Sequence, residues 1–294
     1  MKRLFCLVSA MMAALLIAGC GGGEKKKEGV RIVTSFFPMY VATINITDGV
    51  EGVTVSNMTA PQTGCLHDYQ LSVEDMKRLE DADVFVVNGG GMENFLTKVA
   101  EAKKKLQIVE AAKGIPMLKD AEGTNPHLWV GISCYIQQVQ NIADQLVKAD
   151  AKHADQYKKN AEAYIAKLNK LKQDMHAKID PLTNRKIVTF HEAFPYMAQE
   201  FKLEIVDVVE REPGTEPTPQ ELEALIKQVK SLPVKVLFAE PQYSPAAAET
   251  VARETGAKIY QLDPCVTGEA KPENKDAYLK SMAKNADVLA EALK

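Results

Sequence analysis

Short runs rich in valine, isoleucine and phenylalanine recur along the chain, and longer amphipathic segments lie between them. The eight runs lie at 32–37, 53–57, 84–88, 107–109, 186–189, 205–209, 236–239 and 258–262. Strands that alternate with helices are typical of parallel sheets covered by helices on both faces. We therefore predict an α/β fold of two lobes, each with a four-stranded, mainly parallel sheet flanked by helices.

Two of the intervening helices begin with recognisable capping signals. Ser72 precedes Asp75 by three residues, and Thr218 precedes Glu221 by three residues with Pro219 between them. In such a capping box the hydroxyl and the acid each accept a hydrogen bond from a backbone N–H group that the helix leaves unpaired. We expect helices to begin at both positions.

A long helix is predicted between the two lobes. Residues 151–179 contain neither glycine nor proline. Their apolar residues recur at the helical spacing of three and four, at Tyr157, Ala161, Tyr164, Leu168, Leu171 and Met175. Such a helix is about 40 Å long. We predict a rigid interlobe helix at 151–180, joining an N-terminal lobe at 30–150 to a C-terminal lobe at 181–294. The alternative is a surface helix on one lobe.

The chain begins with an export signal. Lys2 and Arg3 precede an apolar run at 4–18, which is too short for a membrane-spanning helix and is followed by Gly19 and Cys20. We predict a signal peptide at 1–19, a lipidated Cys20 of the bacterial lipoprotein type, and a flexible polar tether at 20–29. An ordinary signal peptide with an incidental cysteine is the alternative. The body is expected outside the cytoplasmic membrane, held to it by lipid.

Composition fits a water-soluble body after the signal. The chain is 46% hydrophobic and 26% charged, which allows a full core. A net charge of −3 and the lack of an arginine-rich stripe argue against nucleic acid as a partner. We expect a monomer. Cys65, Cys134 and Cys265 allow at most one disulfide. Cys65 lies two residues before His67 and Cys265 two residues after Asp263, so a bridge or a nearby thiol at a functional site is one interpretation. Small buried hydrophobic residues are the alternative, and we do not count the cysteines as ligands.

Three histidines stand alone in separate loops. His67, His127 and His191 are about sixty residues apart, whereas His153 and His176 lie in a lysine-rich helical stretch and are expected at the solvated surface. Neutral imidazole is a common protein ligand for zinc and related cations. Three such loops predict a metal site that is assembled by the fold.

A fourth ligand follows from position. His191 and Asp263 each come directly after a predicted strand, and ligands of open α/β sheets bind at the carboxyl ends of strands. His67 and His127 from one lobe, with His191 and Asp263 from the other, would complete a tetrahedral site in the interlobe cleft. Glu240 also follows a strand. It is a candidate to line the cleft, although a role in ending the strand is the simpler interpretation.

Over the whole mature chain, the sequence resembles the zinc- and manganese-binding solute-binding lipoproteins of bacterial ABC importers, the cluster A-I family. The motifs that carry the resemblance are the segment ending in Cys20, Leu-His-Asp-Tyr at 66–69, Pro-His-Leu-Trp at 126–129, 190–196, 214–219 and Leu-Asp-Pro at 262–264. The resemblance implies that His67, His127, His191 and Asp263 bind one ion. It also implies delivery to a membrane permease driven by a cytoplasmic ATPase.

The sequence departs from the family pattern at two places. Asn125 replaces the usual acid before Pro-His, and the segment 114–125 lacks the long histidine-rich loop of many zinc-specific members. Asp68 and Glu192, each beside a histidine, join Glu240 as candidates to hold the ligands in place.

Ligand type favours one Zn²⁺ ion, because manganese prefers oxygen donors and the manganese-selective members of the family tend to replace one histidine with a carboxylate. Mn²⁺ or Fe²⁺ is the alternative. A zinc hydrolase, with Asp68 or Glu192 as its base, is a second class of function. It is disfavoured because the chain has neither a His-Glu-x-x-His nor a Gly-x-Ser-x-Gly motif. A surface adhesin is a third. We expect a binding protein and not an enzyme.

Overall fold

The computed structural model describes residues 29–67, 69–119, 123–208, 217–234, 236–241 and 245–294. The signal peptide at 1–19, the lipidated Cys20, all but the last residue of the tether at 20–29, and Asp68 lie outside the described residues. Within the described ranges, no helix is both long enough and apolar enough to cross a membrane.

Two four-stranded sheets form the two lobes, and all strand pairings within them are parallel. The strands are β1 Val30–Thr34, β2 Val53–Asn57, β3 Val84–Val87, β4 Gln107–Glu110, β5 Lys186–Thr189, β6 Glu204–Val208, β7 Val236–Ala239 and β8 Lys258–Gln261. The predicted α/β fold with two such sheets is confirmed.

Helices connect the strands and cover the sheets. They are α1 Phe37–Ile46, α2 Val73–Glu80, α3 Leu96–Ala102, α4 Ile132–Ala149, α5 Ala154–Ile179, α6 Pro195–Phe201, α7 Pro219–Ser231, α8 Pro245–Thr255 and α9 Ala277–Ala292, with short 3₁₀ turns at Leu128–Val130, Ala151–His153 and Pro272–Asp276. Both predicted capping boxes are present, at Ser72 before α2 and at Thr218 before α7. The first predicted run, 32–37, was placed too far along the chain. Strand β1 ends at Thr34, and Phe37 already begins α1.

The two sheets share one strand order, which positions the site. The order is β2-β1-β3-β4 in the first sheet and β6-β5-β7-β8 in the second. In each sheet the winding direction changes between the two central strands, and at such a point the loops diverge and leave a crevice at the carboxyl ends. The loops that bear functional side chains are therefore expected directly after the central strands.

The long predicted helix is present as α5, whose 26 residues correspond to about 39 Å. Tyr157, Ala161, Tyr164, Leu168 and Met175 of the predicted stripe are buried. Helix α5 packs against α4, α1 and α9, and α9 also contacts α1 and β8. The C-terminal helix therefore reaches elements of both predicted lobes, whose boundaries at 30–150, 151–180 and 181–294 stay a prediction.

Direct hydrogen bonds also join the two halves of the chain. The Trp129 Nε1–H group donates to the Pro264 carbonyl at 2.7 Å, and the Tyr278 hydroxyl donates to the Trp129 carbonyl at 2.7 Å. All three residues are buried or lie against the largest hydrophobic core, which runs through both halves. Together with α5 and α9, these contacts oppose a wide opening between the lobes.

Candidate metal centre

The three loop histidines meet in space. His67 lies in the loop after β2, His127 lies between β4 and α4, and His191 follows β5. The Nε2 atoms of His67 and His127 are 3.2 Å apart. The ring centroid of His191 lies 5.0 Å from that of His127 and 6.5 Å from that of His67. The two halves of the chain thus bring three imidazoles to one point.

His127 is held in one orientation by Asn125. The Asn125 Oδ1 atom accepts hydrogen bonds from both the backbone N–H and the ring Nδ1 of His127, each at 3.0 Å. The Asn125 Nδ2 group donates to the Glu192 carbonyl at 2.9 Å, which fixes which side of the amide faces the ring. Nδ1 of His127 therefore carries the proton, and its Nε2 presents a lone pair towards His67.

Burial keeps the His127 ring neutral. The residue is only 2% exposed. Desolvation, followed by repulsion from the neighbouring His191 and His67 rings, lowers the pKa of His127 well below its usual value. A neutral imidazole is the form that binds a metal, so His127 is ready to do so at neutral pH.

Neighbouring elements anchor the His127 loop. At the carboxyl end of β3, the Asn88 Nδ2 group donates to the Pro126 carbonyl at 2.9 Å. From the other half of the chain, the Tyr196 hydroxyl donates to the Asn125 carbonyl at 2.7 Å. The loop is therefore tied to the first sheet and to α6 at once.

His191 is supported by a buried carboxylate. Its Nδ1 lies 2.6 Å from Oε1 of Glu240, which follows β7 and is 1% exposed. Because β5 and β7 are the central strands of their sheet, the two residues emerge side by side at the point where the winding direction changes. With Nδ1 engaged, His191 offers Nε2 to the other two rings. A carboxylate that accepts from a ligating histidine in this way fixes the ring and makes it a stronger donor.

His67 is positioned through its backbone. The preceding Leu66 is fully buried, and its N–H donates to the Met92 sulfur at 3.3 Å. The Asn94 Nδ2 group donates to the His67 carbonyl at 2.6 Å. These contacts hold the peptide around His67 against the first lobe. Asp68, the next residue, lies outside the described residues.

Cys65 lies in the same cluster as the three histidines. Its Sγ atom and one ligand atom of each of the three histidines all lie within 4.8 Å of one another. The only sequence signal is its position two residues before His67. The three cysteines of the described chain form no disulfide with one another, and Cys65 is partly buried. Of the two interpretations that the sequence leaves open, a buried hydrophobic residue or a thiol near the site, the position of Cys65 beside the histidines favours the second.

Asp263 is not brought into this group of ligand atoms. Its Oδ1 atom accepts a hydrogen bond from the Cys265 N–H at 2.8 Å, an interaction that closes a turn. Its own backbone N–H and carbonyl are both bound by the Asn285 side chain, at 2.9 and 2.7 Å. The predicted fourth position is therefore engaged in the structure of its own loop.

The remaining two histidines lie apart from the cluster and are paired with acids. His153 Nδ1 lies 2.6 Å from Asp150, and His176 lies 3.0 Å from Glu200 through Nε2 and 3.0 Å from Asp180 through Nδ1. Both are partly exposed rather than fully solvated, because His153, in the 3₁₀ turn before α5, and His176, on α5, contact neighbouring carboxylates. These contacts are structural.

This arrangement defines a class of protein, namely a two-lobed chain with a histidine cluster between its lobes. The family model for the zinc-uptake complex component A, periplasmic (ZnuA), matches residues 32–292. The chain belongs to this family.

Individual relatives match over nearly the whole chain. The high-affinity zinc uptake system protein ZnuA of Bacillus subtilis is 30% identical, over 95% of this chain and 94% of that protein. The manganese-binding lipoprotein MntA of Halalkalibacterium halodurans is 30% identical, over 88% of each. The crystal structure of the solute-binding protein FpvC of Pseudomonas aeruginosa with Mn²⁺ aligns with a TM-score of 0.77 and 34% identity, over 90% of this chain and 98% of that one.

Proposed function

We propose that this chain captures one divalent transition-metal ion, Zn²⁺ in the first place, between its two lobes and delivers it to an ABC importer. The receiving partner would be a membrane permease driven by a cytoplasmic ATPase. The observation that supports this function best is the convergence of His67, His127 and His191, two of which are backed by buried hydrogen-bond acceptors. Relatives named for zinc uptake and for manganese binding support the same role.

The donor set fits zinc. Bonds of 2.0–2.1 Å from tetrahedral zinc to two imidazole nitrogens place those nitrogens about 3.4 Å apart. The His67 and His127 Nε2 atoms are 3.2 Å apart, close to that separation. Three nitrogen donors suit zinc better than manganese, which prefers oxygen. Mn²⁺ or Fe²⁺ is the alternative cargo, since one relative is named for manganese. Asp263, whose carboxylate closes its own turn, remains one candidate for the fourth ligand.

The ion would enter a site that is already built. Asn125 and Glu240 hold two of the rings with the Nδ1 proton turned away from the cluster, so that Nε2 faces its centre. Binding then requires little ordering of side chains. This geometry suits tight capture from dilute solution, which is the task of an uptake component.

We further propose that the protein acts outside the cytoplasmic membrane and is anchored by lipid on Cys20. The relatives include a protein named as a lipoprotein, and the matching family model is described as periplasmic. Replacing Cys20 with alanine should release the body from the membrane fraction or leave the precursor uncleaved. Normal processing with unchanged membrane retention would contradict lipid anchoring.

The proposed function is tested by stoichiometry and by matched histidine variants. The mature protein, stripped with a chelator and titrated with Zn²⁺ in a calorimeter, should bind one ion per chain. His67→Ala, His127→Ala and His191→Ala should each lose affinity strongly, because each removes a converging donor. His153→Ala and His176→Ala are the controls, since their rings contact Asp150 and Glu200 instead. Equal losses from the controls would contradict the assignment.

A further inference from the structure

We propose that Cys65 is the fourth ligand, a thiolate that completes the site around the three histidines and makes it prefer zinc to manganese. The inference rests on the proposed function, because it concerns the same ion. In this proposal the fourth donor is a sulfur atom from the first half of the chain, in place of the Asp263 carboxylate expected from the sequence.

The geometry already places the sulfur among the nitrogens. Sγ of Cys65 and one ligand atom each from His67, His127 and His191 all lie within 4.8 Å of one another. Zinc–nitrogen bonds near 2.0 Å and a zinc–sulfur bond near 2.3 Å put tetrahedral ligand atoms about 3.4–3.6 Å apart. A contraction of at most about 1.2–1.4 Å between any two of these atoms therefore suffices to close the shell around an ion.

The local backbone explains why Cys65 and His67 meet the same centre. They flank Leu66, whose side chain is fully buried in the first lobe. The Leu66 N–H is bound to the Met92 sulfur and the His67 carbonyl to Asn94. Leu66 is anchored inwards, and the residues on its two sides, Cys65 and His67, remain partly exposed.

Asp263 is the other candidate for the fourth ligand, but its carboxylate and its backbone are already hydrogen-bonded within its own surroundings. One carboxylate oxygen accepts from the Cys265 N–H at 2.8 Å, and Asn285 binds the Asp263 backbone on both sides. A metal bond to that oxygen would compete with the hydrogen bond that closes the turn. The Cys65 sulfur already lies within 4.8 Å of one ligand atom of each histidine.

A thiolate ligand has consequences for charge and selectivity. When the metal–sulfur bond forms, the Cys65 S–H proton passes to solvent and the sulfur keeps both electrons of the broken bond. Three neutral imidazoles and one thiolate then cancel half of the charge of a dication. Thiolate is a soft donor that suits zinc and not manganese. The site should therefore discriminate between these ions more sharply than a set of three histidines and an aspartate.

Cobalt substitution tests the bond directly. The mature protein is kept reduced, loaded with Co²⁺ in place of zinc, and its absorption spectrum is recorded. Tetrahedral coordination gives intense visible d–d bands, and a thiolate ligand adds a sulfur-to-cobalt charge-transfer band in the near ultraviolet. We expect both in the wild type. The charge-transfer band should disappear in Cys65→Ser and persist in Cys134→Ser, Cys265→Ser and Asp263→Ala.

Affinity supplies the second measurement. Cys65→Ser should weaken Zn²⁺ binding by at least about tenfold to a hundredfold, the cost of losing even an outer partner of a metal site. Its Mn²⁺ affinity should change by less than about threefold, because manganese gains little from sulfur. Visible d–d bands without the near-ultraviolet band in the wild type would overturn Cys65 as a ligand and leave the proposed function standing. The absence of both, with no zinc bound, would refute the proposed function as well.

Discussion

Glu240 offers a sharp test of how the site is supported. Its Oε1 atom lies 2.6 Å from His191 Nδ1, and the other oxygen, Oε2, is buried without a hydrogen-bond partner among the described residues. At 1% exposure, the carboxylate is shielded from bulk water. Glu240→Ala would leave His191 free to rotate and to carry its proton on Nε2, the nitrogen that the metal needs.

The magnitude follows from this role. Loss of an outer-shell partner of a metal-bound histidine costs about tenfold to a hundredfold in affinity. By the affinity relation this is about 1.4 to 2.8 kcal/mol of binding free energy. Glu240→Gln should lose less, about tenfold, because its amide oxygen still accepts from Nδ1 and preserves the tautomer while the negative charge is gone.

The assay is competition with a zinc-binding dye, run beside thermal unfolding of the metal-free variants to confirm that they fold. Glu249→Gln is the matched control, because Glu249 lies exposed on α8 and makes no contact with the cluster. A folded Glu240→Ala protein with wild-type zinc affinity would refute the role of the carboxylate and leave Glu240 as a residue that only ends its strand.

Three further predictions follow from other parts of the structure. Asn125→Ala should weaken zinc binding about tenfold to a hundredfold, because His127 loses the acceptor for its Nδ1 proton. Asn125→Asp should retain binding, and competition with a zinc-binding dye measures both variants. The zinc-induced rise in melting temperature should be smaller at about pH 5 than at about pH 7.5, because protons compete with the ion for imidazoles whose ordinary pKa is about 6.5. An equal rise at both pH values would contradict a histidine site. In urea titrations, Leu168→Ala should lower the free energy of unfolding by about 2–5 kcal/mol, since Leu168 is fully buried on α5. Asn169 is exposed on the same helix, and Asn169→Ala, the control, should change it by less than about 0.5 kcal/mol.

The pH prediction has a counterpart in the metal-free protein. The lowered pKa of His127 means that the unfolded chain binds its proton first as the pH falls below about 6.5. The free energy of unfolding therefore decreases as the pH falls from that value towards the folded-state pKa, in proportion to the protons taken up on unfolding. Replacing His127 with glutamine should flatten this part of the stability profile. Unchanged pH dependence in that variant would mean that other groups dominate.

The strands could be predicted because buried parallel strands are nearly continuous apolar runs. The one misplaced run shows where that signal fails. Every residue of α1 is buried, so the helix has no polar face, and its apolar residues merge with those of β1. Pro38 in the first turn was the available clue, because proline fits the start of a helix and cannot donate within a sheet.

The sequence pointed to three loop imidazoles, which the structure brings together, whereas the fourth donor stays a proposal. His191 could be placed because it ends a strand, and the position of Glu240 after β7 was equally visible. The two candidates for the fourth donor, Cys65 and Asp263, differ in their contacts with residues distant in the chain. Met92 fixes the loop that carries Cys65, and Asn285 fixes the loop that carries Asp263. Neither contact leaves a pattern in the sequence, since both depend on how helices and loops pack in three dimensions.

The three rings are supported in three different ways, and the difference bears on metal release. The ring of His127 contacts a neutral amide, the ring of His191 contacts a carboxylate, and the backbone carbonyl of His67 accepts a hydrogen bond from Asn94. The Glu240 carboxylate places a charge behind His191 and would strengthen that ring as a donor to the proposed ion. The contacts of Trp129 and Tyr278 across the lobes oppose wide opening, so we expect release of the proposed ion to begin at a loop. The His127 loop is tied to both halves of the chain, by Asn88 and by Tyr196, and we therefore expect it to move least during release.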